Sequence, residues 1–205
     1  MFRRGLLVVL SGPSGVGKNT LLNLLLARMA GIRYSISATT RPPRAGERDG
    51  VDYFFFEPEK FLAMADAGEL LEWAHFCGHY YGTPRSYVEG SIARGTDVIL
   101  DIDTQGAALL KKKLLEGVFV FLMPPSWQAL EQRIRGRGKD TEESIKERLN
   151  RAREEIDHLS DYQYVILNDD LERAVGELEA IILAERCKVV RNDVAGFLAA
   201  FFAKN

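Results

Sequence analysis

Four short apolar runs punctuate the chain, at residues 6–10, 97–102, 118–123 and 164–167. Each is rich in β-branched or aromatic side chains, and helical spacing of apolar residues separates one run from the next. Short continuous apolar runs are strands buried on both faces, and their alternation with helices predicts an α/β fold: a parallel sheet core flanked by helices. A long insert of different character, residues 38–96, lies between the first two runs. It opens with Thr40-Arg41-Pro42-Pro43-Arg44-Ala45-Gly46-Glu47, where Pro and Gly exclude regular structure. A strand is expected over residues 52–56, a helix from Pro58 to Gly68, and aromatic strand pieces over 73–76 and 79–81. The insert therefore reads as a small α+β module set into the core.

A charged region, residues 126–158, follows the third run. Ser126 is placed to cap a helix to Arg135, Gly136-Arg137-Gly138 breaks it, and Thr141 caps a second helix. Arg133, Arg135, Arg137, Lys139, Lys146, Arg148, Arg151 and Arg153 carry more positive charge than solubility requires, although interleaved Glu is also the mark of a solvated helix face. At the far end, Asn192 or Asp193 can cap a last helix whose Val194, Phe197, Leu198, Phe201 and Phe202 share one face. Such a stripe has to be covered. Docking on the chain's own core is the first expectation, and docking on a second copy, a homodimer, is the alternative.

At 205 residues the chain fits one domain of ordinary size, and 46% hydrophobic with 27% charged residues is a globular composition. A net charge of -2 argues against general affinity for nucleic acid or membrane. Arg3 and Arg4 precede an apolar run, but the run has about half the length a signal peptide or membrane span needs, so it is read as a buried first strand. Cys77 and Cys187 are expected to be reduced thiols of a cytoplasmic protein. His75, Cys77 and His79 alternate on one strand face, yet no second ligand cluster accompanies them, and a metal site there is set aside.

Gly12-Pro13-Ser14-Gly15-Val16-Gly17-Lys18-Asn19-Thr20 comes close to the phosphate-binding pattern G-x-x-x-x-G-K-[S/T]. Glycines let successive backbone N–H groups converge on a phosphate, Lys18 adds a point charge, and the following helix N-terminus favours an anion. The context fits, with a strand at 6–10 before the loop and a helix at 20–29 after it. Asn19 stands where Ser or Thr usually meets magnesium, so the ion is expected either through water or on the Thr20 hydroxyl. Asp101 and Asp103 end the second apolar run, where the carboxyl ends of parallel strands line a ligand crevice and a carboxylate can orient magnesium waters. Arg41 and Arg44 sit on a proline-stiffened loop that suits a bidentate phosphate clamp, though surface charge is an equal reading.

Several collinear strings resemble the guanylate kinase family. Ser37-Ala38-Thr39-Thr40-Arg41-Pro42-Pro43-Arg44-Ala45-Gly46-Glu47, Gly50-Val51-Asp52-Tyr53, Glu72-Trp73-Ala74 and Tyr80-Tyr81-Gly82-Thr83 are similar to its GMP-binding signature. The likeness continues through Leu100-Asp101-Ile102-Asp103-Thr104-Gln105-Gly106, Pro124-Pro125-Ser126, Arg133-Ile134-Arg135-Gly136-Arg137-Gly138, Thr141-Glu142-Glu143-Ser144-Ile145 and Asn168-Asp169-Asp170, spanning about residues 5–187. The resemblance implies a core of residues 1–37, 97–125 and 159–205, a GMP-binding module at 38–96 and a lid at 126–158. It implies an ATP:GMP phosphotransferase using Mg2+ with ATP, acting on small molecules and not on nucleic acid or membrane. ATP would meet Gly12, Pro13, Ser14, Gly15, Val16, Gly17, Lys18, Asn19, Thr20 and Asn168, the last at the adenine. Glu72 would take the guanine N1–H and N2–H while Ser37 and Thr83 serve O6; Arg41, Arg44, Tyr53 and Tyr81 would hold the GMP phosphate, and Glu47, Asp101 and Asp103 complete that set. Lys18, Arg44, Asp101 and the lid's Arg133, Arg137 and Arg148 would carry the transfer, with Thr20 and Asp101 holding the metal through water.

Three other readings are weighed. Scaffold domains of this type that have lost catalysis lack the loop lysine, which Lys18 supplies here. A kinase for another phosphate acceptor fits poorly with Glu72, Ser37 and Thr83 together. A GTP-hydrolysing switch would need a guanine-reading N-K-x-D after the loop, and none is present.

Overall fold

A computed structural model describes residues 3–76, 78–113, 116–136 and 141–203. The core begins with β1 (Leu7–Ser11) and α1 (Lys18–Arg28), followed by β2 (Ile32–Tyr34). The insert supplies β3 (Ala38–Thr39), β4 (Phe54–Phe55), α2 (Pro58–Asp66), β5 (Leu70–Phe76), β6 (His79–Pro84) and α3 (Arg85–Ala93). The chain then returns through β7 (Asp97–Asp101), α4 (Thr104–Lys113) and β8 (Val118–Met123). Next come α5 (Trp127–Arg135), α6 (Glu142–Asp157), β9 (Tyr164–Leu167), α7 (Leu171–Arg186) and α8 (Val194–Phe202).

Five strands form a sheet in the order β2-β7-β1-β8-β9, and every pairing in it is parallel. The α/β architecture is thus the expected one, and the four apolar runs are four of its strands. The strand without an apolar run is β2, an edge of three residues, Ile32, Arg33 and Tyr34, none of them buried. An edge strand has one covered side, so nothing forces a continuous hydrophobic sequence on it. Both faces of the sheet are packed. Leu21, Leu22 and Leu25 of α1 join Val175, Leu178 and Ile182 of α7 on one face, and Val88 of α3 joins Ala107 and Leu110 of α4 on the other.

The insert folds as a four-stranded sheet, order β4-β3-β6-β5, closed over its own small core of Ala38, Phe61 and Leu70. Its shortest strands are two residues long, too brief for a period to register. Helix α2 has Pro58 in its first turn and ends before Gly68, which takes φ 70°. A separate cluster of Leu130, Ile134, Ile145 and Ala152 joins α5 to α6, each helix capped as its sequence indicates by Ser126 and Thr141. None of the helices among the described residues is long and apolar enough to cross a membrane.

The expectation for the last helix needs correcting. Asp193 does cap α8, accepting from the Gly196 backbone N–H at 2.9 Å, but no residue of the helix is buried. Phe197, Leu198, Phe201 and Phe202 are between 46% and 67% exposed, so the helix does not lie on its own core. All nine residues, Val-Ala-Gly-Phe-Leu-Ala-Ala-Phe-Phe, are apolar or small. A helix with no polar face has no side to turn to water while the other packs.

Below the sheet, Asp97 is fully buried and gathers the start of the fold. Its Oδ1 accepts from Arg3 Nη1 at 2.6 Å and from the Leu6 backbone N–H at 2.8 Å, and its Oδ2 from Arg186 Nε at 2.7 Å. Removing one member of a buried ionic network strands the rest. Asp97→Ala is expected to cost about 3–5 kcal/mol in equilibrium urea unfolding. An unchanged midpoint would show that the network contributes nothing to the fold.

Candidate active site

The strand β1 ends at Ser11 and the helix α1 starts at Lys18, and the intervening backbone turns at the carboxyl edge of the sheet. Gly12 has φ 151°, and a Cβ there would stand 2.4 Å from the Leu122 carbonyl of β8. Gly17 has φ 104°, and a Cβ there would stand 2.7 Å from Asn168 Nδ2. Both positions thus demand glycine for conformation and for space. The Lys18 ammonium donates to the Gly12 carbonyl at 2.6 Å and lies 3.9 Å from Asp101 Oδ1. Burial raises the Asp101 pKa above its ordinary value, against the pull of Lys18. Pro13 to Thr20 and Asp101 enclose a cavity of about 270 Å³.

The 126–158 region reaches this loop from above. Arg133 donates to the carbonyls of Val16 at 3.1 Å and Asn168 at 2.9 Å, and Asn168 Nδ2 donates to Val16 at 2.7 Å. Arg148 Nη2 donates to Ser14 Oγ at 3.0 Å. Lys18, Asp101, Arg133, Arg148 and Asn168 are therefore gathered around one loop, whereas Arg137 lies outside the described residues. Glu155, which sequence reasoning passed over, belongs here too. Its Oε2 is buried without a partner among the described residues. Burial raises its pKa, while Lys18 and the Ser14 backbone N–H pull it down. The signal was available: Arg148, Ala152 and Glu155 share the helical face that carries Ile145.

The insert brings two further groups together. Glu72 on β5 is 7% exposed, and its Oε1 accepts from Thr83 Oγ1 on β6 at 2.6 Å. Burial is the first cause that raises the Glu72 pKa, and nearby Asp103 adds to it against Thr83 and Lys113. Asp103 in turn accepts the Gly106 backbone N–H at 2.8 Å, at the start of α4. In the second group Arg41 pairs with Glu47 at 2.8 Å and lies over the rings of Tyr53 and Phe55. The rings of Tyr53 and Tyr81 meet edge to face, 6.3 Å between centroids. Glu47 also accepts the Arg44 backbone N–H at 2.7 Å, and with Arg41 this holds its carboxyl below the usual range. The Arg44 side chain is exposed, and Ser37 sits just before β3, its carbonyl accepting from Phe54 at 2.8 Å.

The model of the family described as guanylate kinase matches residues 4–185. The guanylate kinase of Desulfitobacterium hafniense is 51% identical over 187 residues, 91% of this chain and 94% of the relative. That of Halalkalibacterium halodurans is 54% identical over 185 residues, 90% of this chain and 91% of the relative. The chain belongs to the guanylate kinase family. Among solved structures, a crystal structure of guanylate kinase from Anaplasma phagocytophilum superposes with a TM-score of 0.76 at 36% identity, covering 98% of this chain and 96% of that one.

For a guanylate kinase the metal question has a clear chemical form. Among the described residues no cluster of three His, Cys, Asp or Glu could hold an ion. His75, from the alternation His75, Cys77 and His79, packs on the Tyr80 ring at 4.9 Å, and Cys77 lies outside the described residues. The loop cavity does present Asn19, Thr20 and the Asp101 carboxylate. Such a sparse oxygen set suits magnesium that brings its own waters and takes most ligands from phosphates.

Glu72 also gives this family member a testable internal cost. Its folded pKa is raised above the ordinary 4.5, so the ionised form is the one the fold disfavours, and stability is lost as pH rises through that window. Glu72→Gln removes the charge and keeps an acceptor for Thr83. In thermal melts without ligand, the variant is expected to match the parent near about pH 4.5 and to melt higher near about pH 8. A variant that melts lower than the parent at both values would contradict the cause assigned to the shift.

Proposed function

We propose that the chain transfers the γ-phosphate of ATP to GMP, and also to dGMP, giving ADP and GDP or dGDP. The observation that carries the reading is the pairing of a phosphate-binding loop with a buried carboxylate on an inserted sheet. Glu72 is an acceptor-only group when ionised, which matches the adjacent N1–H and N2–H donors of guanine. Ser37 and Thr83 would serve O6. Adenine would turn an acceptor toward Glu72 and an amino group toward the hydroxyls, and two stranded polar groups reject it. Arg41, Arg44, Tyr53 and Tyr81 would hold the acceptor phosphate, with Glu47 keeping Arg41 in place and Asp101 and Asp103 closing the floor of that subsite.

On the donor side, the backbone of Gly12, Pro13, Ser14, Gly15, Val16, Gly17, Asn19 and Thr20 would wrap the ATP phosphates, and Asn168 would face the adenine. Lys18 would exchange the Gly12 carbonyl for phosphate oxygens. A magnesium ion arriving with ATP, held through water by Thr20 and Asp101, would neutralise charge on the β- and γ-phosphates. The acceptor oxygen is already anionic, so no strong base is needed, and the protein's part is alignment and charge stabilisation. Arg133 would move from the loop carbonyls and Arg148 from Ser14 onto the transferring group, with Arg137 as the third lid arginine there.

The division into a core (1–37, 97–125, 159–205), an acceptor module (38–96) and a lid (126–158) supplies the motion. Module and lid each have a small core of their own, so each can close as a body and exclude the water that would otherwise hydrolyse ATP. The proposed setting is the cytoplasm, with ATP and GMP as partners and neither nucleic acid nor membrane.

Two substitutions test the assignment. Lys18→Ala is expected to lower turnover by about 10³-fold or more, as loss of a charge made for the transition state does. Near-normal turnover would sink the loop's role. Glu72→Gln is expected to weaken GMP binding by about 2–4 kcal/mol in calorimetry, with ATP binding unchanged. Equal GMP affinity in parent and variant would place guanine recognition elsewhere.

A further inference from the structure

Val16 is 1% exposed, so its carbonyl has to find donors inside the protein. It has two, from distant parts of the chain. Asn168 Nδ2 donates at 2.7 Å from the residue that follows β9, and Arg133 Nη1 donates at 3.1 Å from α5. A carbonyl oxygen offers two lone pairs, so these two donors fill it.

The peptide that joins Val16 to Gly17 is trans, like every peptide bond among the described residues. In a planar trans unit the N–H points away from the C=O. With the Val16 oxygen drawn toward Asn168 and Arg133, the Gly17 N–H is turned the other way. Gly17 lines the loop cavity, and its N–H has no acceptor among the described residues. A peptide turned over at this point would send the carbonyl where an anion's donor should be, and a glycine at its far side resists such a turn least.

The two donors are not equivalent. The Asn168 backbone N–H donates to the Met123 carbonyl of β8 at 2.7 Å, and the residue is 6% exposed. A Cβ on Gly17 would stand 2.7 Å from Asn168 Nδ2, so the amide is wedged against the backbone that it holds. Arg133 reaches in from α5 and, on the proposed mechanism, leaves for the transferring group. From that moment the Val16 carbonyl has Asn168 alone.

We propose that Asn168 is a positioning residue of the phosphate loop: it holds the Val16 carbonyl outward, so that the Gly17 N–H stays aimed at a phosphate after Arg133 has left. This role rests on the reading of the loop as the ATP phosphate site. It acts on phosphate, and it is separate from any contact of Asn168 with adenine.

Inorganic tripolyphosphate carries the phosphates of ATP without base or sugar, so it separates the two roles. In Arg133→Ala, where Val16 keeps Asn168 as its donor, adding Asn168→Ala is expected to weaken tripolyphosphate binding about 10-fold in calorimetry, the scale of one lost buried hydrogen bond. GMP binding is expected to stay unchanged. In the single variant Asn168→Ala, kcat at saturating ATP and GMP is expected to fall about 10-fold with the KM for GMP unchanged, because Arg133 is away during the chemical step. Circular dichroism reports folding, and if the double variant does not fold, the kcat of the single variant decides. Equal tripolyphosphate affinity with and without the Asn168 amide overturns the proposal. So does a single variant that loses ATP affinity and keeps full kcat, which would make Asn168 a reader of adenine alone. A parent protein that binds neither tripolyphosphate nor ATP would overturn the reading of the loop itself, and the proposal with it.

Discussion

The backbone between Ser11 and Lys18 has room for one path. It passes within contact of the Leu122 carbonyl on one side and the Asn168 amide on the other, so close that a single added carbon at Gly12 or Gly17 collides. Three parts of the chain far apart in sequence, β1, β8 and the end of β9, are locked to that path. Helices α5 and α6 are tied to it as well, because Arg133 holds the Val16 carbonyl and Arg148 holds Ser14. A loop fixed this tightly would have little left to order on meeting an anion, which is the physical content of preorganisation.

Charge is balanced around that site at a cost to the fold. Asp101, Glu72 and Glu155 all have pKa values raised by burial, and on the proposed reading a nucleotide's donors and its magnesium would favour the ionised forms of Glu72 and Asp101. Lys18 rests on a carbonyl, and Arg41 rests on Glu47 and two aromatic rings.

Much of this was legible in the sequence, for reasons that differ from element to element. Strands β1, β7 and β8 are buried enough to read as continuous apolar runs. Strand β9 reads as one although it is an edge strand with Val165 and Leu167 exposed. Pro58, Ser126, Thr141 and Asp193 mark their helices by capping chemistry alone. The phosphate loop was legible because glycine is obligatory there. The edge strand β2, the two-residue β3 and the helix α3 were not, since none carries a periodic apolar signal long enough to stand out. Glu155 was passed over for another reason: its spacing from Ile145 and Ala152 puts it on the inward face, but a carboxylate in a charged helix also looks like solvated surface. The tail was misjudged because an apolar stripe says that cover is needed without saying whose surface provides it.

The account rests on one claim, that the buried Glu72 carboxylate and the fixed loop together select a guanine nucleotide as phosphate acceptor. The most direct measurement is a coupled assay of the purified protein with ATP and magnesium, offering GMP, dGMP, AMP and UMP in turn. The account predicts nucleoside diphosphate formation with GMP and dGMP, and turnover with AMP and UMP lower by about 10⁴-fold, the scale of a site that strands polar groups against the wrong base. Comparable turnover with AMP would contradict it.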